Sequence, residues 1–221
     1  MSATNKKLIG KLALLKESVP IFKNLLNDIL KADNGNLFPV DLYLTAIAHR
    51  VLCLISGFCL MIENENFICA APLVRLQLDN LLRLSAVWLV REPHDFCTQV
   101  LKGEQVRKIK DRNNEQMNDS YLVKQLSSKY PWVVRLYKET SGYVHFSNKH
   151  HANTVSRVLI DERSIELGIG VEDINVPPEV KEEAADAMNA ISNAILEYFN
   201  GWKYTKNNPE EIQRMREMAN K

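Results

Sequence analysis

Two consecutive apolar segments decide the fold of this chain: VDLYLTAIAHRVLCLISGFCLM, Val40 to Met61, and FICAAPLVRLQLDNLLRLSAVWLV, Phe67 to Val90. Their apolar residues recur at spacings of three and four, which predicts a helix for each segment. Because these residues cover nearly the whole circumference of both helices, the pattern is typical of helices at the centre of a bundle. The polar link between them, ENEN, predicts a helical hairpin at the core of the protein.

Helical spacing extends to both sides of this hairpin. On its N-terminal side the apolar pattern predicts one or two helices parted by Pro20, since a proline disfavours the helical conformation of the residue before it. Three shorter helices are predicted after the hairpin, within EPHDFCTQVLKG, within NDSYLVKQLSSKY with Asn118 or Asp119 as its N-cap, and from Trp132 to Phe146.

The amino-acid composition changes in the last third of the chain. Two runs rich in β-branched and aliphatic residues, Thr154 to Ile160 and Ser164 to Ile169, flank the polar turn DER, which predicts a β-hairpin. A long amphipathic helix then begins near Pro178. The predicted fold class is therefore all-α, a helical bundle with a small β-hairpin insertion before a long C-terminal helix.

Length and composition limit the function classes. A chain of 221 residues with 46% hydrophobic residues can bury a real core. We predict a single helical domain over residues 1–205, with its core in 40–200, and a polar tail or short helix over 206–221. The net charge of +1 argues against a general binder of polyanions, since that binding needs many phosphate contacts. A nucleic-acid contact would be local, and the best candidate is KGEQVRKIKDR, Lys102 to Arg112; the alternative is a solvated, charged connector.

The sequence predicts a cytoplasmic protein without a cofactor. No segment of eighteen apolar residues is free of charge, so no membrane span is expected, and lysines interrupt the apolar run near the N-terminus, unlike in a signal peptide. The cysteines lack the C-x-x-C spacing of zinc or redox sites, so we expect reduced thiols in the core. They are Cys53, Cys59, Cys69 and Cys97.

A charged stripe crosses the second apolar helix. Arg75, Asp79 and Arg83 fall within about 80° of one another on a helical wheel, and the spacing of four predicts that Asp79 pairs with both arginines. Asn80 borders the stripe. One interpretation is that the stripe is simply the only solvent-exposed face of this helix. The other is that it lines a cleft or a subunit interface, where a guanidinium can bind phosphate or carboxylate.

A second candidate lies in RLYKETSGYVHFSNKHH, Arg135 to His151. If this region is helical, Ser141 lies one turn and Lys138 two turns before His145, and Tyr137 flanks that line. A serine hydroxyl at this spacing can hydrogen-bond the imidazole and fix its tautomer. Three other interpretations are a Ser-His nucleophile, which lacks an identifiable acidic partner, a metal site, which lacks spaced ligands, and a simple helix C-cap.

The order of these features resembles a known group of proteins. An apolar helix with LVRLQLDNLLRLSAVWL, followed by YKETSGYVHFS, a small hairpin and a long C-terminal helix, is similar to a family of bacterial helical proteins of unknown function. That family looks like a divergent branch of the HEPN (higher eukaryotes and prokaryotes nucleotide-binding) superfamily. The resemblance covers roughly residues 40–200. It implies a helical bundle, often dimeric, and in many members a metal-independent ribonuclease of toxin–antitoxin or phage-defence systems.

The resemblance also implies site residues, with one departure. In catalytic HEPN proteins an arginine precedes the histidine by a few residues on the last core helix, and two protomers bring these pairs together at their interface. The corresponding window before His145 contains Lys138 but no arginine, and Arg135 is too far away. Arg75 or Arg83 would then supply the missing cation.

Two hypotheses follow from the sequence. The first is a HEPN-like RNA-acting protein and homodimer, in which the catalytic residues are His145, Lys138 and Ser141, and the substrate-binding residues are Arg75, Arg83, Asp79, Asn80 and Tyr137. The second is a non-catalytic bundle that binds a partner protein or a nucleotide, with the same residues forming a structural polar network. No metal is expected in either case.

Overall fold

The computed structural model describes residues 3–145, 147, 154–161, 163–173, 175–211 and 214. It is a mostly helical bundle with a small hairpin before the long C-terminal helix, which confirms the predicted fold class. The helices are α1 (Ala3–Lys31), α2 (Pro39–Glu63), α3 (Phe67–Ala86), α4 (Pro93–Leu101), α5 (Asp119–Ser127), α6 (Trp132–Val144) and α7 (Pro178–Asn207). The strands are β1 (Val155–Leu159) and β2 (Ser164–Leu167), and 3-10 turns form at Asp33–Gly35 and Val106–Lys108.

Helix α3 lies at the centre of the bundle. It packs against α2, α5, α6 and α7, while α1 packs against α2 and α7. Large side chains from several helices are fully buried between them, among them Phe58, Leu78 and Phe199. The prediction that the α2–α3 hairpin forms the core is therefore confirmed, although α2 keeps one side open to solvent.

The N-terminal region is one helix and not two. Helix α1 continues through Pro20, so of the two predicted alternatives the single helix is correct and the break at this proline does not occur. Leu15, Phe22 and Ile29 are fully buried and recur every seven residues along one face of α1. Burying three such side chains contributes roughly 1.5–3 kcal/mol each, which offsets the about 3 kcal/mol that a proline inside a helix costs.

The ends of the shorter helices position the site. The side-chain oxygen of Asn118 accepts from the backbone N–H of Tyr121 at 3.0 Å and caps α5, as the sequence predicts. Helix α3 stops at Ala86, before the predicted end at Val90. Helix α6 ends at Val144, and the backbone of His145 is extended. The predicted last residue of α6, Phe146, lies outside the described residues.

The hairpin and α7 follow the predicted order. Strands β1 and β2 pair antiparallel, with Val158 opposite Ile165, and both side chains are exposed. Helix α7 runs to Asn207, two residues beyond the predicted end of the domain at 205, and Lys206 is buried within it.

Helix α2 is apolar enough to raise the question of a membrane. Among the described residues it is the one helix long and apolar enough to cross a bilayer, with a mean hydropathy of 1.8 over its best window. Of that window, 44% is buried inside the protein. The absence of a membrane span stays a prediction.

Candidate functional site

Five charged side chains from three helices form a continuous ion-pair network, here called the arginine cluster. Its members are Arg50 on α2, Arg75, Asp79 and Arg83 on α3, and Asp119 at the start of α5. Asp119 accepts from Arg83 at 2.5 Å and lies 3.5 Å from the Nη2 atom of Arg75. The cluster therefore ties α5 to the central helix by electrostatic contacts.

The predicted pairing of Asp79 is half right. Its carboxylate forms an ion pair with Arg83 at 3.0 Å, but its second partner is Arg50 at 2.9 Å and not Arg75. Helical side chains lean toward the N-terminus, so Arg83 leans back onto Asp79 while Arg75 leans away from it. Arg75 instead stacks on the ring of Tyr137, with 3.6 Å between its Cζ atom and the ring centre.

Behind the cluster, a chain of amide hydrogen bonds leads into the core. Arg50 donates to the side-chain oxygen of Asn80 at 2.5 Å. Asn80 donates to Gln77 at 3.1 Å, and Gln77 donates to the hydroxyl of Ser192 on α7 at 3.1 Å. Because Asn80 and Gln77 are fully buried, Asn80 orients Arg50 and does not face a ligand.

The positive charge of the cluster is incompletely compensated. Among the described residues, three guanidinium groups face two carboxylates, and the Nη1 atoms of Arg75 and Arg83 are buried without an acceptor. Burial opposes the charge of Arg83, but the carboxylates of Asp79 and Asp119 outweigh it and hold the pKa of Arg83 above its ordinary value. A surplus of fixed positive charge at a partly exposed position favours binding of an anion nearby.

A cavity of about 760 Å³ opens beside Arg83. It is called the cleft here, and its lining residues are Arg83, Gln105, Val106, Arg107, Asn118, Asp119 and Ser120. Arg107 is exposed, and its Nε atom donates to Gln105 at 2.9 Å, while buried Val106 anchors this wall. The basic segment Lys102 to Arg112 thus contributes Arg107 opposite Arg83, so two features that the sequence predicts separately meet in one place.

The three predicted catalytic residues lie away from the arginine cluster. Lys138, Ser141 and His145 are all exposed, and within the described part of the chain no hydrogen bond or ion pair joins any two of them. Tyr137 contacts Arg75, and His145 follows eight residues later, about 12 Å along the helix direction at 1.5 Å per residue. The fold of one chain therefore separates His145 from the arginine cluster, and His150 and His151 lie outside the described residues.

The cysteines divide into two pairs. Cys59 and Cys97 are buried, as predicted, and burial raises the pKa of Cys59 to about 11 and that of Cys97 to about 12. Cys53 and Cys69 are exposed, which corrects their predicted place in the core. All four are free thiols. Among the described residues no three His, Cys, Asp or Glu side chains are grouped so that they could hold a metal ion.

Sequence reasoning misses two members of this site, Arg50 and Asp119. Asp119 is predicted only as a possible helix cap, and Arg107 is predicted only as part of the basic segment Lys102 to Arg112. The signal that could have found Arg50 is its position as the one charged residue between Asp41 and Glu63. Comparisons with known protein families, with curated proteins and with solved structures gave no match.

Proposed function

We propose that this protein binds RNA through phosphate contacts in the cleft. The observation that carries the proposal is the convergence of Arg83 and Arg107, from α3 and from the basic segment, on one cavity. Guanidinium groups bind phosphate through two parallel N–H donors. The resemblance to HEPN proteins favours RNA as the source of that phosphate.

The neighbours of the two arginines suit this role. Asp119 and Asp79 hold Arg83 by ion pairs, so little side-chain entropy is lost when a ligand binds. Asn118 and Ser120 add uncharged polar groups to the cleft wall. Because the whole chain carries a net charge of only +1, we expect few phosphate contacts and a shallow dependence of affinity on salt.

Cleavage of the bound RNA is a separate proposal, and the exposure of Lys138 and Ser141 on α6, and of His145 directly after the end of that helix, supports it. His145 would act as general acid or base for attack by a ribose 2′-hydroxyl, and Lys138 would stabilise the charge that develops on phosphorus-bound oxygen. By the same resemblance, such a ribonuclease would serve a toxin–antitoxin or phage-defence system in the cytoplasm.

The binding proposal is tested with a fluorescent single-stranded oligoribonucleotide and anisotropy titrations. Arg107→Ala removes an exposed guanidinium of the cleft, and we expect affinity to fall about tenfold, as for loss of one charge-assisted hydrogen bond. Arg135→Ala removes another exposed guanidinium, on α6, where Arg135 pairs with Glu139, and should leave affinity unchanged. Equal losses in both variants would contradict a specific cleft. Binding of a nucleoside triphosphate without binding of RNA would make the ligand a nucleotide.

The cleavage proposal needs a different readout. Wild type and His145→Ala are expressed side by side, and total RNA is examined for fragments. We expect cleavage only with wild type, since His145 is exposed and its removal leaves the fold intact. Intact RNA in both cultures would exclude the ribonuclease and leave the binding proposal standing.

A further inference from the structure

The solvent side of α2 carries no charged side chain between Asp41 and Glu63 except the partly buried Arg50. The exposed residues of this span are Leu42, Ala46, His49, Cys53, Ser56 and Leu60. Leu42 is 51% and Leu60 54% exposed. A helix on the surface of a globular protein normally carries charged residues on its outer side, so this side has the composition of a face that another element covers.

The spacing of these six residues is 4-3-4-3-4. Such alternation places them at the a and d positions of successive heptads, which form the seam of a coiled coil. The seam has a large residue at each end and small or medium residues between them, so a second helix can approach closely along its middle. The seam is therefore shaped to receive a helix.

Helix α3 widens this face. Cys69, Leu73 and Leu76 lie on one side of α3 at helical spacing, and Cys69 and Leu76 are exposed. A Cβ atom placed on Gly57 of α2 would lie 3.4 Å from the Cδ1 atom of Leu73, so this apolar side of α3 lies beside the exposed side of α2.

We infer that this α2–α3 face binds a second copy of the chain, with the two α2 helices antiparallel. The spacing of the seam residues is the same in both directions along the helix. In an antiparallel pair Leu42 therefore lies opposite Leu60, Ala46 opposite Ser56, and His49 opposite Cys53 of the other copy. The two-fold axis then passes beside Val51. In an antiparallel coiled coil each a residue meets a d residue of the partner helix, and the three pairings satisfy this rule together.

Charge and area agree with this occupant. A two-fold interface brings identical surfaces together, so any net charge on the seam would repel itself; the six seam residues include no Lys, Arg, Asp or Glu, and the bordering Arg50 forms an ion pair with Asp79. The seam is about 27 Å long and the two helices side by side are about 20 Å wide. Counted on both copies this footprint is on the order of 1,000 Å², the lower range of a biological interface.

This interface differs from the one that the HEPN resemblance implies. There the dimer would form at the helix that carries the histidine, which corresponds in this chain to α6, with His145 directly after its end. The inference rests instead on the exposed side of α2 and does not depend on RNA binding. The two interfaces can therefore be separated by experiment.

The first test is a mass measurement by light scattering at micromolar concentration. We expect wild type to be a dimer and Leu42→Glu to be a monomer, because the substitution buries a carboxylate against the partner. Val134→Glu is the matched control, since Val134 is 51% exposed and lies in the first turn of α6, as Leu42 lies near the start of α2. In both places a glutamate suits the helix dipole, so folding is preserved.

Several results of this mass measurement would contradict the inferred dimer. A monomeric wild type, a dimeric Leu42→Glu, or dissociation by Val134→Glu alone would each overturn the inference. So would a monomer that sediments with phospholipid vesicles, since lipid would then be the occupant of the face.

The second test fixes the orientation. In a Cys53→Ser, Cys69→Ser background, chains with Leu42→Cys are mixed with chains with Leu60→Cys and oxidised. Antiparallel helices predict a disulfide between the two kinds of chain and little within either kind. Efficient linkage of Leu42→Cys chains to one another would show parallel helices and contradict the inferred pairing.

Discussion

Two charge networks in this protein differ in how completely their charges are paired and shielded from solvent; the fully paired and buried one is called closed here, and the other open. In the first, Lys206 and Asp41 form a 2.8 Å ion pair whose side chains are both 0% exposed. Trp202 donates to the second oxygen of Asp41 at 2.7 Å, and Lys206 also donates to the carbonyl of Ile29. In the second, the arginine cluster, every member is between 16% and 41% exposed.

The difference shows how a structural network can be told from a candidate binding site. The Lys206–Asp41 pair balances one cation with one anion, and no part of it reaches solvent. The arginine cluster has one cation more than it has anions, keeps guanidinium nitrogens without acceptors, and borders a cavity. We therefore assign the closed pair to stability, where it joins the start of α2 to the end of α7, and the open cluster to ligand binding.

The largest effect is expected from breaking the closed pair. Asp41→Ala leaves the Lys206 ammonium buried without its anion, which should lower the free energy of unfolding by about 3–5 kcal/mol. Asp28→Ala is the control, because the Asp28–Lys203 pair joins α1 and α7 at the same 2.8 Å but is 51% and 36% exposed; its loss should cost about 0–1 kcal/mol. Urea denaturation measures both. Similar losses in the two variants would erase the distinction between closed and open pairs.

A smaller effect on stability, but a clear one on binding, is expected for Arg83→Leu. Asp79 keeps Arg50 and Asp119 keeps Arg75, so the free energy of unfolding should fall by only about 1–2 kcal/mol. RNA affinity should fall about tenfold, because the cleft loses one of its two arginines. Denaturation and anisotropy titrations on the same preparation give both values. A large loss of stability without a loss of affinity would place Arg83 with the structural network.

The smallest effect is expected for Asp79→Asn, which removes one negative charge and keeps a hydrogen-bond acceptor. Stability should change by about 1 kcal/mol or less, and RNA affinity should rise a few-fold as the surplus positive charge of the cluster grows. Titrations at low and high salt check this, since the gain should shrink as salt screens the added charge. Weaker RNA binding by Asp79→Asn at low salt would contradict this expectation. It would mean that Asp79 strengthens RNA binding by orienting Arg83 more than its negative charge weakens it.

Sequence alone predicts the bundle because its signals are local. The apolar spacing of α2 and α3, the Asn118 cap and the β-branched runs of the hairpin all act over a few residues, and the structure agrees with them. Pro20 shows the limit: its local preference is overridden by the burial of Leu15 and Phe22, which depends on α2 and α7.

The site was predicted less well because its contacts are tertiary. Arg75 and Arg83 could be chosen from their stripe, but Asp119 meets them only because α5 packs against α3. Arg107 reaches the cleft only because the basic segment folds back over the same end of the bundle. The periodicity of the sequence does not predict contacts between residues far apart in the chain. The exposed seam of α2 could likewise be identified only once the burial of each residue was known.

The central claim, that the cleft binds RNA, is tested most directly by hydrogen–deuterium exchange of the protein with and without a single-stranded oligoribonucleotide. We predict that RNA slows exchange in the peptides that cover Gln105 to Lys108 and Asn118 to Tyr121. Protection confined to Lys138–His145, or no protection anywhere at saturating RNA, would contradict the assignment of RNA binding to the arginine cluster and its cleft.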